Sequence, residues 1–482
     1  MGGGLLQLYS KGPQDVFLTG NPTITFFKKV YRKHTNLAVE EMEQVFVGEK
    51  IFGKRIRCKI ERKGDLLKDM YLKIKLKNGT GNNPEDNYKN IIKCGFALID
   101  YVEIEIGGQT IDRHYGEWLD IWTQLSMKSE KYNLMRNLIR DKRNTLDIWE
   151  GPNSDNIGDI YIPLFFWFNN DPGLALPLIS LQYHELVLYL KLKKKEDVKI
   201  IIETTIESDK YNILPALADN NNQSIAYTND GEENPKKNVT KADYQSFLTN
   251  PSINDNTINP KNNKWYIKSF TGEIVDIVVI CSYIFLDKDE RTKFAKNSHE
   301  YLITQVQRTS KLDLPKLTSD EPKKNTQIRL EFNHPVKEII WTAQSKLLEN
   351  TFIYKNMDFS NSLSEILLQL NGVDRIPKSD AYYYTNIVPY RHHTCGGLLP
   401  KDKNHYYTGG FYCYSFCMNP ENYQPSGSLN FSNIKNFTIN FDYNKTSNNY
   451  STLIEPYVFT CYGLNYNILR IQNGMGGLAY TN

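Results

Sequence analysis

Along this chain, apolar residues alternate with polar ones in short runs, and seldom recur at the three- and four-residue spacing of a helix. Runs of this kind cover Arg55–Glu61, Met70–Leu76, Tyr101–Ile106, Leu186–Leu192, Ile274–Leu286, Gln327–Phe332, Glu365–Leu370, Phe437–Phe441 and Pro456–Tyr462, broken by Gly, Pro, Asn and Asp. Many short strands separated by turn residues predict a sandwich or barrel. Helical signals are few. Asp287 followed three residues later by Glu290 predicts a capped helix at the start of the 287–299 segment. Trp118 and Trp122, four apart, predict a helix near Tyr115–Met127 with both rings on one face.

A weak internal repeat points to two related halves. The run Tyr101–Gln109 resembles Ile366–Val373, with Ile104, Ile106 and Gly108 matching Leu368, Leu370 and Gly372. Each reads as a strand entering a Gly-Gly or Asn-Gly pair, residues that tolerate the positive φ of a tight hairpin. Between the halves, Asp219–Asn263 stands apart: 12 of its 45 residues are Asn, and Pro235, Pro251 and Pro260 interrupt it. Such a stretch buries too little apolar surface to offset its ordering entropy and reads as a long surface insertion. An interdomain linker is the alternative, but strand-like Tyr266–Leu286 follows and would complete the first domain.

Composition strengthens the β reading, because 32 Tyr and 22 Phe in 482 residues favour strands. That length exceeds one ordinary domain of ~100–200 residues. With 58 Lys and Arg against 55 Asp and Glu, the net charge of +3 argues against a surface devoted to nucleic acid. The best apolar stretch, Ile274–Leu286, contains Asp276 and falls short of the ~20 residues a spanning helix needs. The first residues lack the basic and apolar regions of a secretory signal, and Leu6 stands where a myristoylation motif requires Ser or Thr. Seven scattered cysteines fit free thiols better than a disulfide framework.

The candidate chemistry is thin. His392, His393, Cys395, Cys413 and Cys417 form the one group resembling zinc ligands. If Cys413–Cys417 is one strand, its two sulfurs stand about 13 Å apart at ~3.3 Å per residue, too far to share an ion. His184-Glu185 and His299-Glu300 are adjacent pairs whose side chains point to opposite faces of a strand. Asp287 and Asp289 begin like a calcium loop, but Thr292 stands at the position that requires Gly. No nucleophile elbow, phosphate loop or dinucleotide fingerprint occurs. Seven Asn-x-Ser/Thr sequons, at Asn78, Asn222, Asn238, Asn430, Asn436, Asn444 and Asn449, are what an Asn-rich chain produces by chance. No catalytic, cofactor-binding or metal residue is therefore assigned.

Several longer blocks are more specific. They include Asn21-Pro22 with Phe26-Phe27, Tyr31 and His34-Thr35-Asn36, then Gly107-Gly108-Gln109 with Asp112, His114-Tyr115-Gly116 and Trp118. They continue through Pro163–Trp167, Leu176-Pro177, Gln182-Tyr183-His184-Glu185, Asp287 with Glu290-Arg291, His299–Leu302, Gln424–Gly427, Asn465-Tyr466-Asn467, Leu469-Arg470 and Gly474–Tyr480. In order and spacing these resemble the major capsid proteins of nucleocytoplasmic large DNA viruses. The resemblance implies an all-β fold of two tandem eight-stranded antiparallel jelly rolls. It implies an N-terminal arm at 1–24, a first jelly roll at 25–286 carrying the 219–263 insertion, a helical bridge at 287–299 and a second jelly roll at 300–482. It further implies a non-enzymatic homotrimer, the pseudo-hexameric capsomer of an icosahedral shell, made in the host cytoplasm and located in the virion. The implied partners are itself, neighbouring capsomers, minor capsid or cement proteins, and an inner viral membrane or its proteins, with no cofactor, specific nucleic acid or small-molecule substrate. A jelly-roll lectin or glycosidase, and a minor capsomer or scaffold of the same virion, are the other classes this pattern fits.

Overall fold

The computed structural model describes residues 7–9, 12–13, 19–29, 33–77, 91–141, 157–205, 223–224, 239–240, 257–258, 263–315, 323–352, 354, 363–395, 410–444 and 457–481. Two eight-stranded antiparallel jelly rolls follow one another along the chain. The first consists of β1 (Leu37–Val45), β2 (Arg55–Lys59), β3 (Leu66–Lys77), β4 (Ile99–Ile106), β5 (Gln109–Tyr115), β6 (Ile157–Pro163), β7 (Leu186–Leu192) and β8 (Glu273–Leu286). The second consists of β9 (His299–Arg308), β10 (Lys323–Leu330), β11 (Pro335–Ser345), β12 (Leu363–Leu370), β13 (Val373–Asp374), β14 (Tyr412–Ser415), β15 (Phe437–Asn444) and β16 (Tyr457–Gln472).

The sheet orders are β1-β8-β3-β6 and β2-β7-β4-β5 in the first, β9-β16-β11-β14 and β10-β15-β12-β13 in the second. Adding eight to each strand of the first jelly roll reproduces the second. The hairpin repeat seen in the sequence is one piece of this duplication. Ile106 faces Gln109, and Leu370 faces Val373, across two-residue turns. Gly107 and Gly108 have φ of 58° and 85°, and Asn371 and Gly372 have 50° and 83°, the left-handed pairs that a twisted hairpin selects.

Strand β7 shows the alternation at its clearest: Leu186, Leu188, Leu190 and Leu192 are buried, while Val187, Tyr189 and Lys191 are half-buried. Strand β11 has no such alternation. Ile339, Trp341 and Ala343 enter the interior of the second jelly roll, whereas Ile340 faces the apolar core of the first. Polar Lys337, Glu338, Thr342 and Gln344 are buried along with them, so polarity does not mark the covered face and the sequence pattern passes over the strand. Strand β16 runs on to Gln472, ten residues past the predicted end at Tyr462; it is buried on both faces through Asn467 and alternates beyond, with Leu469 and Ile471 buried and Arg470 and Gln472 exposed. The edge strand β1 escapes the pattern for the opposite reason, since Leu37, Val39 and Val45 are exposed.

The predicted helix at Trp118 is α1 (Gly116–Ser126), with the Trp118 and Trp122 rings stacked 5.5 Å apart, and α2 (Ser129–Leu138) follows it unpredicted. Helix α3 (Lys288–Lys296) joins β8 to β9. Its Asp287 cap accepts from Lys288 N at 2.8 Å, while Glu290 Oε2 has no hydrogen-bond partner, so the cap lacks the reciprocal half of a capping box. Acidic Asp289 and Glu290 open the helix and Lys293 and Lys296 close it, the arrangement that suits its dipole. Arg291 pairs with Asp65 at 2.9 Å and Phe294 O accepts from Ser180 at 2.8 Å, which seats the bridge on the first jelly roll.

Between β7 and β8 the chain makes an antiparallel pair, Lys199–Thr205 with Asn263–Ser269. The Asn-rich segment springs from the end of that pair. Apart from the two-residue strands Gln223–Ser224, Val239–Thr240 and Thr257–Ile258, and Asn263, it lies outside the described residues. Most of the 1–24 arm also does.

Candidate functional site: the joint between the jelly rolls

Two jelly rolls in one chain act as a unit only if one is set firmly against the other. Here the first core does not stop at its own sheets but runs on through Ile303, Val306, Ile340, Tyr462, Leu464, Leu469 and Ile471 of the second jelly roll. Trp118 is at the centre of this joint, 2% exposed, with its ring 5.6 Å from that of Tyr462. The Tyr462 hydroxyl donates to Glu117 at 2.7 Å, and Thr342 Oγ1 lies 3.3 Å from the other carboxylate oxygen. Burial holds the Tyr462 phenol well above its usual pKa, and the Glu117 charge adds to this.

Around the apolar centre runs a set of directional bonds between the two halves. Val306 N donates to Asp112 Oδ1 at 3.0 Å, and Gln305 Nε2 donates to the Ile111 carbonyl. Asn467 Nδ2 donates to Gln305 Oε1 at 2.9 Å, fixing that amide. Leu478 N donates to Gln109 Oε1 at 3.0 Å, Tyr183 N to Gly474 O at 2.9 Å, and His184 Nδ1 lies 2.8 Å from Gly476 O. The sequence blocks at Gly107–Trp118, Gln182–Glu185, Asn465–Arg470 and Gly474–Tyr480 thus meet in space. A Cβ on Gly476 would stand 2.7 Å from Leu181 Cδ2 and 3.1 Å from Ile106 Cγ2. Gly476→Val should therefore cost about 1–3 kcal/mol by overpacking, read as a lowered melting temperature, whereas Gly108→Asn, at a turn position with open space, should cost less than 1 kcal/mol.

A second polar centre is fully buried. Lys93 Nζ lies 2.5 Å from Asp120 Oδ1 with both side chains 0% exposed. Asp120 Oδ2 accepts from Gln124 at 3.0 Å and from the Tyr354 hydroxyl of the second jelly roll at 3.0 Å. Burial pushes the Asp120 carboxyl up in pKa, and Lys93, Tyr354 and Gln124 pull it back.

The sequence-selected ligand candidates are only partly brought together. His393 Nε2 is 2.6 Å from Glu338 Oε1 and its Nδ1 is 2.9 Å from Glu421 Oε1. Burial lowers the imidazole pKa, but the Glu338 charge and hydrogen bond, reinforced by Glu421, bring it up to about 9. Burial raises the Glu421 carboxyl, and hydrogen bonds from His393 and Thr394 more than reverse this, so it stays below its ordinary value. Cys413 Sγ donates to Tyr384 O at 3.5 Å, and burial holds its thiol well above the usual pKa. Cys413 and Cys417 do not share a strand as expected: β14 ends at Ser415, and the chain bends so that Ser415 Oγ lies 3.5 Å from Cys417 Sγ. His392 turns away, its Nδ1 2.8 Å from Met418 O. Cys395 N donates to Leu125 O at 2.8 Å. Glu338 is not legible as a candidate in the sequence because it stands 55 residues before His393 and only the fold of β11 brings it there.

Both adjacent pairs separate: His299 and Glu300 do so within β9, as strand geometry requires, whereas His184 and Glu185 lie just before β7 and not in a strand as expected. Glu185 turns to Lys59 while His184 meets Gly476. His299 Nε2 donates to Phe294 O at 2.8 Å, and Glu300 pairs with Arg470 at 2.7 Å. Asp287 is a helix cap and Asp289 a first-turn residue of α3. Among the described residues, no helix is long and apolar enough to cross a membrane.

Residues 25–229 match the family described as major capsid protein N-terminus, and residues 290–477 match that of the large eukaryotic DNA virus major capsid protein. The chain is 34% identical to the major capsid protein of Pyramimonas orientalis virus over 501 aligned positions, and 34% identical to that of Paramecium bursaria Chlorella virus 1 over 531, with all of each chain covered in both cases. Its fold is similar to a chain of the quasi-atomic model of the PBCV-1 virus capsid, with a TM-score of 0.67, 28% identity, and 95% of this chain and 100% of that one covered. The Faustovirus major capsid protein, 13% identical with a TM-score of 0.61 over 96% of this chain and 94% of that one, shares the fold. With its two jelly rolls in the same strand order and matching blocks along its whole length, the chain belongs to the major capsid proteins of large eukaryotic DNA viruses.

Proposed function

We propose that three copies of this chain form a pseudo-hexameric capsomer that tiles an icosahedral shell. The observation that carries this reading is the duplication itself. One chain presents two jelly rolls of identical strand order, fixed to each other by a continuous core, so three chains supply six similar lobes in a ring. In this reading residues 25–286 and 300–482 are the lobes, 287–299 the bridge and 1–24 the arm. The purified protein should run in light scattering at about 168 kDa, three times the 56.0 kDa chain, and appear six-lobed in negative stain. A stable monomer or dimer at micromolar concentration would refute it.

The role is structural, without a reaction, so no saccharide should be hydrolysed by the purified protein. Ile24, Phe26 and Phe27, at 71%, 88% and 97% exposed, lie where the arm meets the first lobe, are left uncovered by the other described residues and suit packing on a neighbouring copy. Contacts with adjacent capsomers, minor capsid or cement proteins and an inner membrane belong to the same reading, as does synthesis in the host cytoplasm.

The Asn-rich segment fits an outward decoration, because the Lys199–Thr205 and Asn263–Ser269 pair closes its base. Lengthening a loop costs only ~0.6 kcal/mol per doubling. Exchanging Asp219–Asn263 for a short Gly-Ser linker should leave trimer formation and melting temperature nearly unchanged, and limited proteolysis should cut there first. Loss of trimers on that exchange would make the segment part of a subunit interface.

A further inference from the structure

The side chains of Glu338, His393 and Cys413 present a carboxylate oxygen, an imidazole nitrogen and a sulfur within 4.8 Å of one another, and no other His, Cys, Asp or Glu trio converges this way among the described residues. We propose that this cluster is a zinc site that ties together β11, β14 and the end of the Val388–His392 helix. It departs from the expectation of no metal, and it is independent of the capsomer reading.

Three features of the cluster favour a metal over a simple buried ion pair. The donors are one nitrogen, one oxygen and one sulfur, a set that suits zinc and does not suit the all-oxygen preference of magnesium or calcium. Glu338 Oε2 is fully buried without a hydrogen-bond partner, although a buried carboxylate oxygen normally has one. The His393 ring is oriented as metal-bound imidazoles are: Nε2 faces the donors, and Nδ1 is held by Glu421, itself fixed by Thr394 N at 2.9 Å and by the Thr394 hydroxyl. Glu421, behind His393, also lines a cavity of about 230 Å³ at the joint, together with Trp118, Trp122, Lys337 and Tyr423; none of the three donors lines it.

Charge balances on loading. A zinc ion displaces the Cys413 thiol proton and the proton shared by His393 Nε2 and Glu338, so two positive charges replace two. Donors at ~2.0–2.3 Å from one tetrahedral ion are separated by roughly 3.3–3.6 Å. The present 2.6 Å between His393 Nε2 and Glu338 Oε1 must therefore open by roughly 1 Å, which a rotation of the carboxylate supplies. Three protein donors leave a fourth position for a water.

The test uses the full-length, tag-free protein, stripped with a chelator and dialysed against zinc or cobalt. The expected result is one metal per chain by elemental analysis and, with cobalt, a near-ultraviolet thiolate-to-metal absorption band. Cys413→Ser should abolish the band, and Glu338→Gln should weaken binding at least tenfold. Glu421→Ala, which acts through His393, should weaken it about 10–100-fold. His392→Ala, whose ring points elsewhere, should change neither. Less than 0.1 equivalent of zinc retained, a cobalt spectrum without the thiolate band, or undiminished affinity in Glu338→Gln would overturn the proposal. Because Glu338→Gln is isosteric, it decides the matter if Cys413→Ser fails to fold.

Discussion

Asp120→Ala should lower stability by about 3–5 kcal/mol, the range for removing one partner of a buried ion pair. The size of the effect comes from what remains behind. Lys93 is 0% exposed, and the substitution takes away its counter-charge 2.5 Å off without giving it water in exchange. It also strips the Tyr354 hydroxyl and the Gln124 amide of the oxygen they share. For a unit of this size the melting temperature should fall by about 10 °C. The double replacement Lys93→Met with Asp120→Leu should recover most of that loss, because two apolar side chains remove the desolvation cost together with the attraction. A double variant no more stable than Asp120→Ala would mean that Asp120 acts through Tyr354 and not through Lys93. Tyr354→Phe, which removes one hydrogen bond, is the control and should cost about 1 kcal/mol.

Trp118→Ala should be comparably damaging, at about 3–5 kcal/mol, the usual range for emptying a large aromatic site in a core. Its particular value lies in where the cavity opens. Trp118 touches Trp122 on its own helix and Tyr462 on β16, so its loss loosens the seat of one jelly roll on the other. Hydrogen exchange should speed up at α1 and at the β9 and β16 amides that face it, while the β10-β15-β12-β13 sheet, whose inner face packs in a separate cluster with Trp341 and Phe441, keeps its protection. If the capsomer needs a rigid pair of lobes, the variant should also assemble less well at temperatures where each jelly roll is still folded. Uniform loss of protection across both halves would instead show that the two cores unfold as one unit.

The sequence by itself determined the class of fold and its duplication. The alternation in β7, the turn pairs at Gly107-Gly108 and Asn371-Gly372, and the Trp118–Trp122 spacing are local facts, set by strand pleat, left-handed turn geometry and helix pitch, and the structure shows each of them in place. The blocks shared with known capsid proteins were legible too, but only as identity. That Gln109 meets Leu478 and His184 meets Gly476 is invisible along the chain, since the partners are 369 and 292 residues apart and are joined only by the seating of one jelly roll on the other. The same holds for β11, whose two buried faces erase the period-two signal, and for Glu338, which only the folded β11 brings to His393 and Cys413. Local rules fix what each segment becomes, because the backbone's conformational choices depend on near neighbours. Which buried faces meet is decided by the whole assembly of sheets, because a strand that packs on two cores at once carries no mark telling which residue faces which.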